Sequence, residues 1–363
     1  MGIRVTIRHL PILRVSKTMS TAEVILPDEL SDEEIPILDL GPFLAGEDGA
    51  LERLASELRY AQENIGFYFI VNHGVPQELL DRTTDNLIRF FDLPDETKRS
   101  FPNYVPPLST IYVSSTVNEN TKPDLNEMLR MVRERPDDHP AIKAGLTSHG
   151  PNHWPAEDLL PGWKSQMLEY YDAMENLGSR MLPLYATALD MPADYFDGLF
   201  DDPVWTTRNQ HYAAVEAEEN QFGIAPHRDH GFLTLLPVAA EAGLQIGTAS
   251  GQWIPVSNIE GAIIVNTGEF LNRWTNGRFM ATPHRVIPPK NDRYSLAFFY
   301  NPTWDTVADP LPTCVSADNP AQFKPVRFQD YRDWYLNVNY LTELDKATPE
   351  PPSVEESTLP RSL

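Results

Sequence analysis

Apolar positions recur at helical spacing in the first half of this chain and at strand spacing in much of the second. In "ALERLASELRYAQENIG" (50–66), Leu51, Leu54, Ala55, Leu58 and Ala61 fall on one stripe that Gly66 ends, which predicts a helix. "FYFIVNHGV" (67–75) is a β-rich run closed by a turn. "PQELLDRTTDNLIRFFDLP" (76–94) returns to helical spacing with Pro76 at its start, and "DETKRSF" begins a further short helix. Upstream, "EEIPILDLGPFL" predicts a short strand, Ile35 to Leu40, stopped by Gly41 and Pro42. Residues 102–124 read as a loop, and the proline-rich stretch 136–162 as a long crossing segment rather than a helix. A long helix follows over 163–191, with Met167, Tyr170, Tyr171, Met174, Leu177 and Met181 as a packing face. From about residue 204 the chain becomes short β runs: "WTTRNQHYAAV", "FLTLLPVAA", "GLQIGTASGQWIPV", "GAIIVNTGEF", "RFMATPHRVI" and "YSLAFFYNP". Their spacing predicts an antiparallel barrel or jelly roll rather than βαβ units. A helix over 328–341 closes the fold, and the polar, proline-rich tail 345–363 is expected to be disordered. No internal repeat is visible.

Composition narrows the function classes. The 363 residues are 41% hydrophobic, enough for a substantial core, and no apolar run approaches the length of a membrane span. A net charge of −23 repels phosphate backbones, so nucleic acid is an unfavourable partner. The single cysteine, Cys314, rules out an internal disulfide framework and a cysteine-rich metal cluster. The first 22 residues carry Arg4, Arg8, Arg14 and Lys17 and no acid. They resemble an organelle-targeting peptide in composition, but Pro11 interrupts any long amphipathic helix, and residues 1–33 are read as a flexible basic tail of a cytoplasmic protein.

The chemistry concentrates in "APHRDHGFLTLL" (225–236). In extended backbone His227 and Asp229 point to one face and His230 to the other. An imidazole and a carboxylate supply two ligands of the facial triad that binds non-haem iron(II), and a second histidine from another strand is needed. Among nine histidines only His284, in "ATPHRVI", lies downstream of His230. Beyond it comes "RYSLAFF", where Arg293 and Ser295 share a strand face that continues through Ala297; an arginine beside a hydroxyl there can grip a carboxylate. A pairing of Arg293 with Asp292 or Glu269 at a strand end is the competing reading.

These residues in this order resemble the iron(II)- and 2-oxoglutarate-dependent dioxygenases of the isopenicillin N synthase-like family. "IPILDL", "GFYFIVNHGV", "FFDLPDETKRSF" and "KPDLNEML" resemble that family's amino-terminal part; "HRDHGFLTLL", "GLQI", "WIPV", "NTGEFLNRWTNGRFMATPHRV" and "RYSLAFFYNP" resemble its core. The resemblance implies a mixed α+β fold, with a double-stranded β-helix (jelly-roll) core, a helical amino-terminal cap and a carboxyl-terminal helix. It divides the chain into a cap region at 34–150, a connecting segment and long helix at 151–200, the core at 201–305 and a carboxyl-terminal helical segment at 306–344. It implies His227, Asp229 and His284 as iron(II) ligands, with Arg293, Ser295 and Tyr212 at the distal carboxylate of 2-oxoglutarate. Gln210 and Ala213 stand where the family commonly has Asn and Pro, and Glu269 where it usually has Asp; Gln210 can still donate an amide hydrogen bond to the co-substrate, with a longer reach on the proximal side of its pocket. The implied reaction consumes O2 and 2-oxoglutarate, releases succinate and CO2, and hydroxylates a small organic molecule. Tyr112, Trp334 and Tyr335 are candidate substrate-lining residues. The sequence leaves the substrate and the oligomeric state open. Rival readings are an in-family oxidase, cyclase or ethylene-forming enzyme, a zinc hydrolase on the same ligands, and a non-catalytic binding protein.

Overall fold

The structure, a computed structural model, describes residues 35–109, 122–340 and 350–357. The expected basic tail therefore lies outside the described residues. Within them the strands are β1 (Ile37–Asp39), β2 (Phe67–Val71), β3 (Tyr104–Val105), β4 (Glu127–Val132), β5 (Thr206–Tyr212), β6 (Ile224–His227), β7 (Leu233–Pro237), β8 (Leu244–Gly247), β9 (Trp253–Pro255), β10 (Ile263–Thr267), β11 (His284–Val286), β12 (Arg293–Tyr300), β13 (Val307–Ala308) and β14 (Val326–Arg327). The helices are α1 (Gly41–Leu44), α2 (Ala50–Asn64), α3 (Gln77–Phe91), α4 (Asp95–Arg99), α5 (Pro140–Lys143), α6 (Trp163–Ala188), α7 (Glu269–Trp274) and α8 (Phe328–Tyr340).

Eight strands form a major sheet in the order β1-β2-β10-β7-β12-β5-β4-β3, and four form a minor sheet, β6-β11-β8-β9. Only β1 and β2 pair in parallel within these two sheets. The major sheet is buried on both faces, and its period-two alternation separates two environments. Tyr68 and Ile70 of β2, Ile263 and Val265 of β10, and Leu296, Phe298 and Tyr300 of β12 join the core that the helices cover. Phe67, Phe69, Tyr212 and Ile264 face the minor sheet, where they meet Ile224, Ala225, Leu244, Ile246 and Val286. Full burial of each large apolar side chain contributes about 1.5–3 kcal/mol.

Helix α6 packs against α2, α3 and β12. Its expected face is interior, since Met167, Tyr170, Tyr171, Met174 and Met181 are all fully buried. Gly178 lets the helix come close to the sheet: a Cβ there would lie 2.8 Å from the Tyr300 ring.

Three differences from the sequence reading have local causes. The crossing segment contains one helical turn, α5, started by Pro140 and capped by the His139 side chain, which accepts from the Ala141 N–H. The run "GAIIVNTGEF" is a strand only to Thr267; Gly268 turns the chain into α7. The tail expected to be disordered is packed where it is described, with Pro351 buried and the Val354 N–H donating to the Pro325 carbonyl at 3.1 Å.

Candidate active site

The hydrogen-bonding register puts the histidines together. His227 ends β6 and is the direct cross-strand partner of His284, which begins β11. Their rings lie 4.2 Å apart between centroids. Asp229 follows two residues beyond His227, and its Oδ1 stands 3.7 Å from His227 Nε2 and 3.6 Å from His284 Nε2. One donor atom from each of the three buried residues lies within 4.8 Å of the others.

Each donor is oriented by a bond on its far side. His227 Nδ1–H donates to the Ala225 carbonyl at 2.8 Å, and His284 Nδ1–H to the Thr282 carbonyl at 3.2 Å. A carbonyl oxygen only accepts, so each Nδ1 carries the proton and each Nε2 is the atom turned toward Asp229. Asp229 Oδ2 accepts from Thr234 Oγ1 at 2.6 Å and from Asn266 Nδ2 at 2.7 Å, which turns Oδ1 inward. Burial pulls the His227 pKa down to about 3, so this imidazole is neutral. Burial acts to raise Asp229, but the imidazoles of His284 and His227 and the Asn266 amide outweigh it and hold the carboxyl well below its usual range. A neutral imidazole and a carboxylate converging in this way are the donor chemistry a ferrous ion takes.

The loop after β6 is strapped from outside. The Glu269 N–H donates to the Asp229 carbonyl at 2.7 Å, and Tyr335 Oη to the Arg228 carbonyl at 2.9 Å. Gly268 permits this approach, since a Cβ there would overlap the Gly231 carbonyl oxygen. His230, beyond the end of β6, is not part of the cavity wall and stacks on Tyr335 with 4.9 Å between ring centroids. Trp334 and Tyr335 do not line the cavity beside the three donors: Tyr335 is buried as a strut behind them, and Trp334 packs on Tyr331. Tyr112 lies outside the described residues.

That cavity opens between the two sheets. Its wall holds His227, Asp229 and His284 together with Gln210, Tyr212, Arg293 and Ser295. The last four are two cross-strand pairs of β5 and β12, Tyr212 opposite Arg293 and Gln210 opposite Ser295. Arg293 is 3% exposed; among the described residues its Nε and Nη1 find no hydrogen-bond partner, and its guanidinium lies 4.9 Å from the centroid of the Tyr212 ring. Among the described residues no ion pair joins Arg293 to Asp292, whose Oδ1 accepts from the Ala214 N–H and whose Oδ2 lies 3.5 Å from His211 Nε2. Burial lowers the Arg293 pKa, yet a guanidinium remains charged at neutral pH. A buried fork with two unused donors, beside a serine, fits an incoming carboxylate. Gln210 spends Nε2 on Asn126 Oδ1 at 3.2 Å.

The sequence reading missed Thr234 and Asn266, which orient Asp229, and Arg208, which lines the same cavity. Period two along β5 was the available signal for Arg208, since 208, 210 and 212 share a face. Nothing local announces Thr234 or Asn266.

Two family models match the chain. Residues 35–157 match the non-haem dioxygenase in morphine synthesis N-terminal family, and residues 205–302 match the 2OG-Fe(II) oxygenase superfamily. The chain is 34% identical over 306 residues to the 2-oxoglutarate-Fe(II) type oxidoreductase hxnY of Emericella nidulans, covering 81% of this chain and 87% of that protein. It is 31% identical over 301 residues to the 2-oxoglutarate-dependent dioxygenase tropC of Talaromyces stipitatus, covering 78% and 90%. Among solved structures it is similar to a full-length Neurospora crassa protein in complex with alpha-KG and thymine, with a TM-score of 0.73 and 27% identity over 84% of this chain and 96% of that one. That neighbourhood carries the jelly-roll core and small-molecule substrates. The chain belongs to the 2OG-Fe(II) oxygenase superfamily and is an oxidoreductase, a dioxygenase that uses Fe(II), 2-oxoglutarate and O2 on a small molecule.

Proposed function

We propose that His227, Asp229 and His284 are the protein ligands of Fe(II), that Arg293 and Ser295 with Tyr212 hold the distal carboxylate of 2-oxoglutarate, and that the substrate is hydroxylated. One observation carries this reading. A single cavity contains both a convergent set of two imidazoles and a carboxylate and a buried guanidinium with unused donors.

Bound iron and 2-oxoglutarate supply the oxidising power, with succinate and CO2 as the by-products. The chain's part is to bind, orient and keep the site dry. Two backbone carbonyls fix the tautomers of His227 and His284, and Thr234 with Asn266 fixes the rotation of Asp229. Arg293 contributes charge-assisted hydrogen bonds in a place where water does not compete. Gln210 is held back by Asn126, so its role is to shape the wall beside Ser295. Phe67, Ile224, Leu236, Leu244, Val286 and Phe299 make much of the remaining wall apolar, which helps to exclude water from the reacting groups.

The test is a screen of small metabolites for stimulated succinate release with Fe(II), ascorbate and 2-oxoglutarate, run beside Asp229→Ala. We expect the variant to lose Co(II) binding in calorimetry and at least about 1,000-fold of the succinate release, roughly 4 kcal/mol of lost stabilisation. Substrate oxidation without succinate would favour an in-family oxidase. Hydrolysis that proceeds under argon would favour a zinc enzyme.

A further inference from the structure

Two glycines stand directly behind the residues assigned to the distal carboxylate. Gly223 precedes β6 and Gly243 precedes β8. Each lies next to a partner of Val286 in β11, because Val286 pairs across the strands with Ile224 and with Leu244. The three strands thus make one row of the minor sheet behind Tyr212 and Arg293. A Cβ on Gly223 would lie 2.9 Å from Cδ1 of the Tyr212 ring and 3.1 Å from Cγ1 of Val286. A Cβ on Gly243 would lie 3.4 Å from Cδ of Arg293 and 3.4 Å from the same Cγ1 of Val286. The φ of Gly223 is not positive, so what its missing side chain supplies is space rather than backbone freedom.

These contacts run on into the cavity. Carbon atoms pack at about 3.5–4.0 Å, so a methyl group at position 223 would displace the Tyr212 ring by about 0.6 Å or more. The guanidinium of Arg293 lies 4.9 Å from the centroid of that ring. Tyr212, Arg293 and Val286 are all buried, and all three line the cavity that holds the metal-site residues. In a close-packed interior a displaced ring hands its shift to its neighbours. Val286 stands two residues beyond His284 on β11, about 7 Å along the strand. Strand geometry thus fixes one measure of the pocket. The other is how far Tyr212 and Arg293 can recede, and the glycines behind them decide it.

We propose that Gly223 and Gly243, acting through Tyr212, Arg293 and Val286, set the depth of the co-substrate pocket and so select the five-carbon 2-oxo diacid against its six-carbon homologue. The glycines touch the gripping residues, not the co-substrate. The assignment rests on the reading of Arg293 as the grip on the distal carboxylate, and it adds what fixes the length of the diacid.

Calorimetric titration under argon tests it, on the full chain loaded with Co(II). The probes are 2-oxoglutarate, 2-oxoadipate and 2-oxovalerate, the last with five carbons but no distal carboxylate. The wild type should bind 2-oxoglutarate about tenfold or more tightly than 2-oxoadipate, as one methylene does in a fitted pocket. Gly223→Ala makes the floor shallower and should widen that ratio by about fivefold or more. Gly243→Ala, whose contacts are longer, should widen it less. Val286→Ala opens the floor and should narrow the ratio by about fivefold or more. A purely structural role would weaken both diacids together and leave the ratio where it was. An unchanged ratio in a folded Gly223→Ala or Val286→Ala protein overturns the proposal, as do shifts of the same sign or a wild type that binds both diacids equally. If Gly223→Ala loses its cooperative melting transition, Val286→Ala decides alone: a narrowed ratio supports the proposal and an unchanged one overturns it. A wild type that binds 2-oxovalerate as tightly as 2-oxoglutarate brings down the role of Arg293, and the depth assignment with it.

Discussion

Across one cavity, the metal-ligand side and the β5–β12 face are in opposite conditions. On the metal-ligand side the donors are held by bonds the chain makes to itself: two Nδ1–H groups to carbonyls, and Asp229 Oδ2 to Thr234 and Asn266. On the β5–β12 face, Arg293 keeps Nε and Nη1 buried without partners. The metal half is finished before a ligand arrives, whereas the co-substrate half is completed by one. A buried cation with unused donors lowers stability, so its retention is a mark of binding rather than of folding.

The sharpest way to break this contrast is Arg293→Met. Two charge-assisted hydrogen bonds at about 1.5–3 kcal/mol each predict at least a 100-fold weaker 2-oxoglutarate affinity by calorimetry. The ligand-free variant should melt no lower than the wild type, because an uncompensated charge has been removed. A clear drop in its melting temperature would make Arg293 a structural residue. Next in size, Asn266→Ala and Thr234→Val leave the three donors in place but release Asp229. Co(II) affinity should fall about 10- to 100-fold, and unchanged affinity would show that Asp229 needs no such support.

The smallest effect concerns Asp124, which is 2% exposed and whose Oδ1 accepts the Ala225 N–H two residues before His227. Burial pushes its pKa up to about 7, against that hydrogen bond and Arg208, which lower it. A raised carboxyl stabilises the fold fully below its ordinary value of 3.8 and loses that contribution as pH rises through about 7. Asp124→Asn should therefore flatten the decline in melting temperature between pH 4 and pH 8, leaving the variant about a few degrees higher at pH 8. Parallel melting curves for the two proteins would count against a buried, titrating Asp124.

Whatever depended on period was legible in the sequence. Arg293, Ser295 and Ala297 were readable as one face of a strand, and His227 and Asp229 as another, because alternation is a local property. The stripe on α6 was readable for the same reason. Strand β4 was not: "EMLRMV" contains a single β-branched residue, and it becomes a strand by pairing on both sides with β3 and β5. Nor were Thr234 and Asn266, which meet Asp229 only once β7 and β10 are adjacent. Tyr335 was readable as a buried-type aromatic near the site, but not as the strut its bond to the Arg228 carbonyl makes it.

Strands β2 and β4 precede residue 157 in the chain, yet they hydrogen-bond directly to β10 and β5, which follow residue 205. Cutting the protein between its two matched regions would strip ladders from both pieces and leave raw edges bearing Phe69 and Leu129 on one, Ile264 and Asn209 on the other. Neither fragment is then a usable module for fusion or shuffling, and a chimera that exchanges the amino-terminal part must carry matching edge residues with it.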